Sequence, residues 1–142
     1  MKGMRKMLLY ACLMAWSAFA SADLVLVANP KAGIDRLTQS DVVNIYLGRY
    51  RHLASGLTAE PIDIEGEADL KARFYRRLVG KSLAEINAYW ARLVFSGKTQ
   101  PPLAVVNTEE ALQRVASRIG ALAYLERGKV DRRVAIVFDL GE

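Results

Sequence analysis

The chain has 142 residues, with 20 Lys and Arg against 15 Asp and Glu and a formal charge of +5 at pH 7. That length supports one domain. Its single cysteine and single histidine exclude a disulfide scaffold and any site built on paired imidazoles.

The first 22 residues read MKGMRKMLLYACLMAWSAFASA. Lys2, Arg5 and Lys6 precede an apolar stretch from Met7 to Phe19, and Ala20-Ser21-Ala22 offers small residues for cleavage before Asp23. This is the pattern of a secretory signal peptide, cleaved after Ala22. An apolar run of about 13 residues falls short of the ~20 that span a bilayer, which argues against an anchor. Leu9-Tyr10-Ala11-Cys12 resembles a lipidation box only loosely, with too few apolar residues ahead of it. Cleavage removes Cys12 and, with it, any thiol nucleophile or ligand. It also removes three cations, leaving 17 basic against 15 acidic residues and a net charge of +2. So small a charge gives little of the field that supplies non-specific affinity for nucleic acid, and no nucleic-acid partner is expected. The remaining domain, residues 23–142, is expected in the periplasm.

Leu24 to Ala28 (LVLVA) reads as a buried strand, and NPKAG (29–33) as a loop. Thr38 and Asp41 form a capping box for a helix whose apolar face is Val42, Val43, Ile45, Tyr46 and Leu47, with Gly48 just past its end. Residues 49–60 read as an irregular connection, opening on the basic, aromatic cluster Arg49-Tyr50-Arg51-His52. PIDI (61–64) is a short strand, and a helix follows from Asp69 to near Gly80. Ser82 and Glu85 form a second capping box. The helix it starts packs Ile86, Ala88, Tyr89, Trp90, Leu93, Val94 and Phe95 along one side, with Trp90, Phe74 and Phe95 expected in the core. TQPP (99–102) is a turn or extended segment. Thr108 caps a helix through Leu112, Val115 and Ile119 to Gly120, its start favoured by Glu109 and Glu110. ALAYLE (121–126) and RVAIVFDL (133–140) read as strands. The order β-α-β-α-α-α-β-β describes an α/β domain with a small mixed sheet covered by helices.

LTQSDVVNIYLGR (37–49) resembles the segment L-T-x-x-x-x-x-x-I-F-L-G-x of substrate-binding proteins of phosphate ABC transporters. FYRRLVGKS (74–82) and YWARLVFSGKTQPP (89–102) follow in the same order. They resemble the F-x-x-x-x-x-G-K-S and Y-W-x-x-x-x-F-x-G-x-x-x-P-P patterns of short, single-lobe members. VASRIGALAYLE (115–126) is similar to their V-x-x-x-x-G-A-I-G-Y element, with Leu122 and Ala123 for Ile and Gly. The resemblance covers roughly residues 24–138. It implies one lobe of a type II periplasmic-binding-protein-like fold and a non-enzymatic solute-binding role. It also implies a small oxyanion such as phosphate as ligand, with no cofactor.

In the family an Arg and a Ser-Gly-Thr run at a helix start hold the phosphate, where amides and the helix dipole favour an anion. The matching stretch here runs from Asp63 to Lys71, followed by Arg73 and Phe74. Candidate ligand residues are Arg49, Arg51, Gly66, Lys71 and Arg73. The Ser and Thr donors are missing, and Asp63, Glu65, Glu67 and Asp69 stand at alternate positions. A like charge ~4 Å from a phosphate costs about 4 kcal/mol at an effective dielectric of ~20. Alternating acids around a glycine faintly suggest a calcium loop, but the twelfth position is Phe74 rather than a bidentate Glu, so no metal is expected. His52 has no second partner to orient it, and no Ser sits in a nucleophile elbow, so no enzyme is expected.

Binding proteins of this kind close two lobes on a ligand. One lobe leaves half the ligand wet, so capture calls for a homodimer or for a partner, such as a membrane transporter. A reading of another class makes the lobe an envelope accessory or sensor-input domain that contacts a sensor or other protein and binds no anion.

Overall fold

The computed structural model describes residues 23–141; the leader expected at 1–22 lies outside them. Strand β1 (Leu24–Ala28) leads to helix α1 (Gln39–Tyr46), β2 (Glu60–Ile64), α2 (Ala68–Val79) and α3 (Leu83–Ser96). There follow β3 (Leu103–Val105), α4 (Thr108–Ser117), β4 (Ala121–Glu126) and β5 (Ala135–Gly141). The strands form one mixed sheet in the order β3-β2-β4-β1-β5. β2 runs parallel to β3 and β4, whereas β1 runs antiparallel to β4 and β5. The expected class, a small mixed sheet covered by helices, is what forms.

All five residues of β1 and the first five of β4 are buried. Strands covered on both faces lose the polar alternation of a half-exposed strand, which is why LVLVA is uniformly apolar. On one face Tyr46 of α1 and Phe74 and Tyr75 of α2 pack around Tyr124 of β4; the Phe74 and Tyr124 rings stack at 4.1 Å. α4 packs against β1, β2 and β4.

Both capping boxes form. The Thr38 hydroxyl accepts from the Asp41 N–H at 3.1 Å while the Asp41 carboxylate accepts from the Thr38 N–H at 2.8 Å, and Ser82 and Glu85 do the same. Gly48 (φ 70°) follows α1, and a Cβ there would lie 2.8 Å from the Trp90 ring and 2.7 Å from the Thr99 hydroxyl. Only glycine allows both that dihedral and that approach.

Four expectations need correction. A strand, β3, stands between α3 and α4; it has three residues, follows two prolines and buries only Val105, so no periodicity reveals it. Asn107, not Thr108, is the N-cap of α4, accepting from the Glu110 N–H at 2.9 Å. α4 stops at Ser117 because Arg118 turns extended, leaving Ile119 46% exposed. Finally, Phe95 is 97% exposed, and Val94 and Ala88 are exposed too. α3 buries Ile86 and Trp90, and five residues beyond Trp90 the helix has turned about 140° from that face. Among the described residues no helix is long and apolar enough to cross a membrane.

Candidate functional site

In open α/β sheets ligands gather beyond the carboxyl ends of parallel strands, where helix N-termini also point. Here that edge follows Ile64 of β2, Val105 of β3 and Glu126 in β4, and α2 and α4 begin there.

Asp63 lies between Ile62 and Ile64 in β2 and is only 4% exposed. Its carboxylate accepts from the Tyr75 hydroxyl at 2.8 Å and the Tyr124 hydroxyl at 3.2 Å. The Tyr124 oxygen in turn accepts the Ile64 N–H at 2.9 Å. Burial pushes the Asp63 carboxyl up from 3.8 to about 6, against the pull of the Lys71 charge and the tyrosine hydrogen bond. Burial and the nearby Asp63 charge also push the Tyr46, Tyr75 and Tyr124 phenols upward, so all three stay neutral donors.

Lys71, one turn into α2, is 7% exposed. Its ammonium donates to Glu65 at 2.6 Å and lies 3.9 Å from Asp63. The Glu65 side chain is half exposed. Arg73 reaches Asp69 at 3.2 Å and Glu126 at 2.5 Å. Glu67 spans to the next helix start, accepting from the Thr108 N–H at 2.6 Å and its hydroxyl at 2.8 Å. That leaves α2 without a side-chain cap, so its first-turn amides keep their donors. At Gly66 a Cβ would sit 2.0 Å from the Val106 carbonyl oxygen; glycine is needed there for the close passage of β2's end over β3's.

The five candidate residues fall into two groups. Gly66, Lys71 and Arg73 share the carboxyl edge. Arg49 and Arg51 do not: the Ala59 N–H, just before β2, bonds to the Arg51 carbonyl, which places this pair at the amino end of β2. Five residues of strand separate the groups by about 15 Å. Arg51 donates to the Gln100 carbonyl at 2.6 Å and the Ile45 carbonyl at 3.5 Å, tying the connection to the segment before β3. Arg49 is exposed and borders a groove beside α3. Tyr50 is 57% exposed, its ring edge-on to His52 at 5.8 Å.

Tyr75, Tyr124, Glu126 and Thr108 belong to this edge and are absent from the sequence-derived candidates. The sequence did hold one signal: a single carboxylate between two isoleucines in a strand short of polar residues. Among the described residues no three His, Cys, Asp or Glu gather to hold a metal ion.

The fold finds counterparts in known structures. An ABC-type phosphate transport receptor from Vibrio cholerae superposes over 82% of this chain with TM-score 0.65 and 15% identity. A protein from Clostridium perfringens assigned as a phosphate ABC transporter substrate-binding protein, with phosphate bound, gives 0.64 and 13% over the same share. PstS from Borrelia burgdorferi gives 0.53 and 12%, again over 82%. The fold is that of one lobe of these proteins. The chain covers only 45%, 44% and 47% of their lengths, less than half of each. No family model matches it, and no curated protein matches it significantly in sequence.

Proposed function

We propose that the chain is a non-enzymatic, solute-binding-protein-like lobe that takes a small oxyanion, phosphate first, weakly and as half of a site completed by another protein. The observation that carries this is the uncapped start of α2 beside the Lys71 ammonium, at the carboxyl edge of β2. The fold shared with phosphate-binding proteins supports it. The amides of the first turn and the ammonium supply donors and charge to one point. The ligand must draw Glu65 off Lys71, and Glu65 is the more exposed of the two carboxylates beside that ammonium. Affinity is therefore expected near millimolar, about 4 kcal/mol of binding.

Calorimetric titration of the purified protein with phosphate, repeated with sulfate, tests this. Saturable binding of phosphate that strengthens about tenfold in Glu65→Gln, as one competing charge is removed, is the expected result. Flat titrations of both proteins, shown folded by circular dichroism, would overturn it. A second reading then gains: Lys71 and Arg73 already hold carboxylates of the chain itself, as suits a lobe that contacts proteins instead. We also propose export, with Ala22 as the last residue removed; N-terminal sequencing of the exported protein should begin at Asp23.

A further inference from the structure

A groove of about 730 Å³ runs between α1 and α3, on a different part of the molecule from the carboxyl edge. Val43, Leu47, Val79 and Tyr89 give it an apolar floor, and Ala88 and Ala91 line its α3 side with little more than backbone. Phe95 lies seven residues beyond Ala88 and four beyond Ala91, so it stands on that same face of α3. At 97% exposed it touches almost nothing in its own chain. Arg49 and Arg92 border the groove, and neither has an ion-pair partner among the described residues. Lys81 on the same border is paired with Glu85 at 3.5 Å.

We propose that this groove docks an amphipathic helix of another protein, whose apolar stripe is flanked by carboxylates. Small side chains at Ala88 and Ala91 let a second helix approach closely. The floor takes side chains spaced three and four apart, and Phe95 supplies an aromatic anchor at the groove's end. Charge selects among occupants. The chain's own residues 1–22 carry Lys2, Arg5 and Lys6 and no acid, so they would meet Arg49 and Arg92 with like charge. A second copy would bring its own unpaired Arg49 and Arg92, and its one carboxylate on this border, Glu85, is already held by Lys81. An anionic bilayer matches the charge but is flat, whereas the apolar surface here is concave. The oxyanion proposed for the other edge plays no part, so either idea survives failure of the other.

A benzophenone analogue of phenylalanine at position 95 of the full-length chain, irradiated in its native host, tests the proposal. The cross-linked segment is then synthesised and titrated into the purified protein, followed by amide chemical shifts. An acidic amphipathic segment that shifts Val43, Leu47 and Tyr89, and that binds about tenfold or more weakly to Phe95→Ser and Arg92→Glu, would support it. Both positions are exposed, so unchanged thermal midpoints would show that the variants fold. Adducts only with lipid or with a second copy, a basic segment, no protein adduct, or affinity indifferent to both substitutions would each overturn it.

Discussion

The carboxyl edge of β2 and the groove along α3 treat charge in opposite ways. At the edge Lys71 and Arg73 are answered from within the chain: Lys71 by Glu65 and Asp63, Arg73 by Asp69 and Glu126. Beside the groove Arg49 and Arg92 have no ion-pair partner among the described residues, and an aromatic ring projects into solvent. The edge is thus built for its own stability, and a ligand there must compete with carboxylates already in place. The groove's floor belongs to the core, but Phe95, Arg49 and Arg92 around it are exposed and contribute little to folding. Substitutions should accordingly be costly at Lys71 and Asp63 and nearly silent in stability at Phe95 and Arg92.

The largest effect is expected from Lys71→Met. It leaves Asp63 buried with no cation near it, and breaking such a pair costs about 4 kcal/mol. Urea unfolding at pH 8 should show that loss. At pH 5 the loss should be smaller, because Asp63 can then take up a proton. An equal loss at both pH values would mean that Asp63 is not charged in the folded protein.

Asp63→Asn sharpens the same point. The folded carboxyl titrates at about 6 and the unfolded one near 3.8, so the folded state holds the proton more tightly. Its contribution to stability is complete below pH 3.8 and is lost as pH rises through 6. That difference in proton affinity between the two states corresponds to about 3 kcal/mol. Glu60, Glu85, Glu109, Asp131 and Asp139 are pulled downward by hydrogen bonds and neighbouring cations, Lys81 for Glu85 and arginines for the others. They act in the opposite sense and only as pH falls below the ordinary carboxylate range. Between pH 4 and 7 the stability of wild type relative to Asp63→Asn should therefore fall by about 2.4 kcal/mol, most of that difference. A constant difference across that window would mean that burial does not perturb the Asp63 carboxyl.

Glu67→Gln is expected to cost about 1.5 kcal/mol, read as a lower urea midpoint. It keeps the shape of the bond to Thr108 but removes the charge that the start of α4 favours.

How much of this could be read beforehand depended on how local the determinant is. Both capping boxes, the stop at Gly48 and the strands β1 and β2 depend on residues within a few positions of one another, and they were legible. β3 was not, because its pairing to β2 is set by a partner some forty residues away and its own three residues bury one side chain. Phe95 misled for a related reason: an aromatic residue beside Trp90 looks like core until the turn of the helix relative to α1 and α2 is known. At the site, the acidic run was legible as a conflict with phosphate. Its resolution was not: Glu67 goes to Thr108, Asp63 to two tyrosines, and Arg51 to the opposite end of β2. Each of those partners is chosen by the tertiary fold.

The smallest expected effect puts the sharpest limit on the contrast. Phe95→Ser should change stability by less than about 0.5 kcal/mol, as for an exposed position with no special role in the fold. Ile86→Ala, nine residues earlier in the same helix but 3% exposed, should cost about 3 kcal/mol through lost burial and the cavity left behind. Measured side by side, the two report whether α3 has one packed face and one idle one. A cost above about 1 kcal/mol for Phe95→Ser would mean that the ring is covered within the folded chain. The groove would then be part of the protein's own packing, and the partner helix proposed for it would have no place to lie.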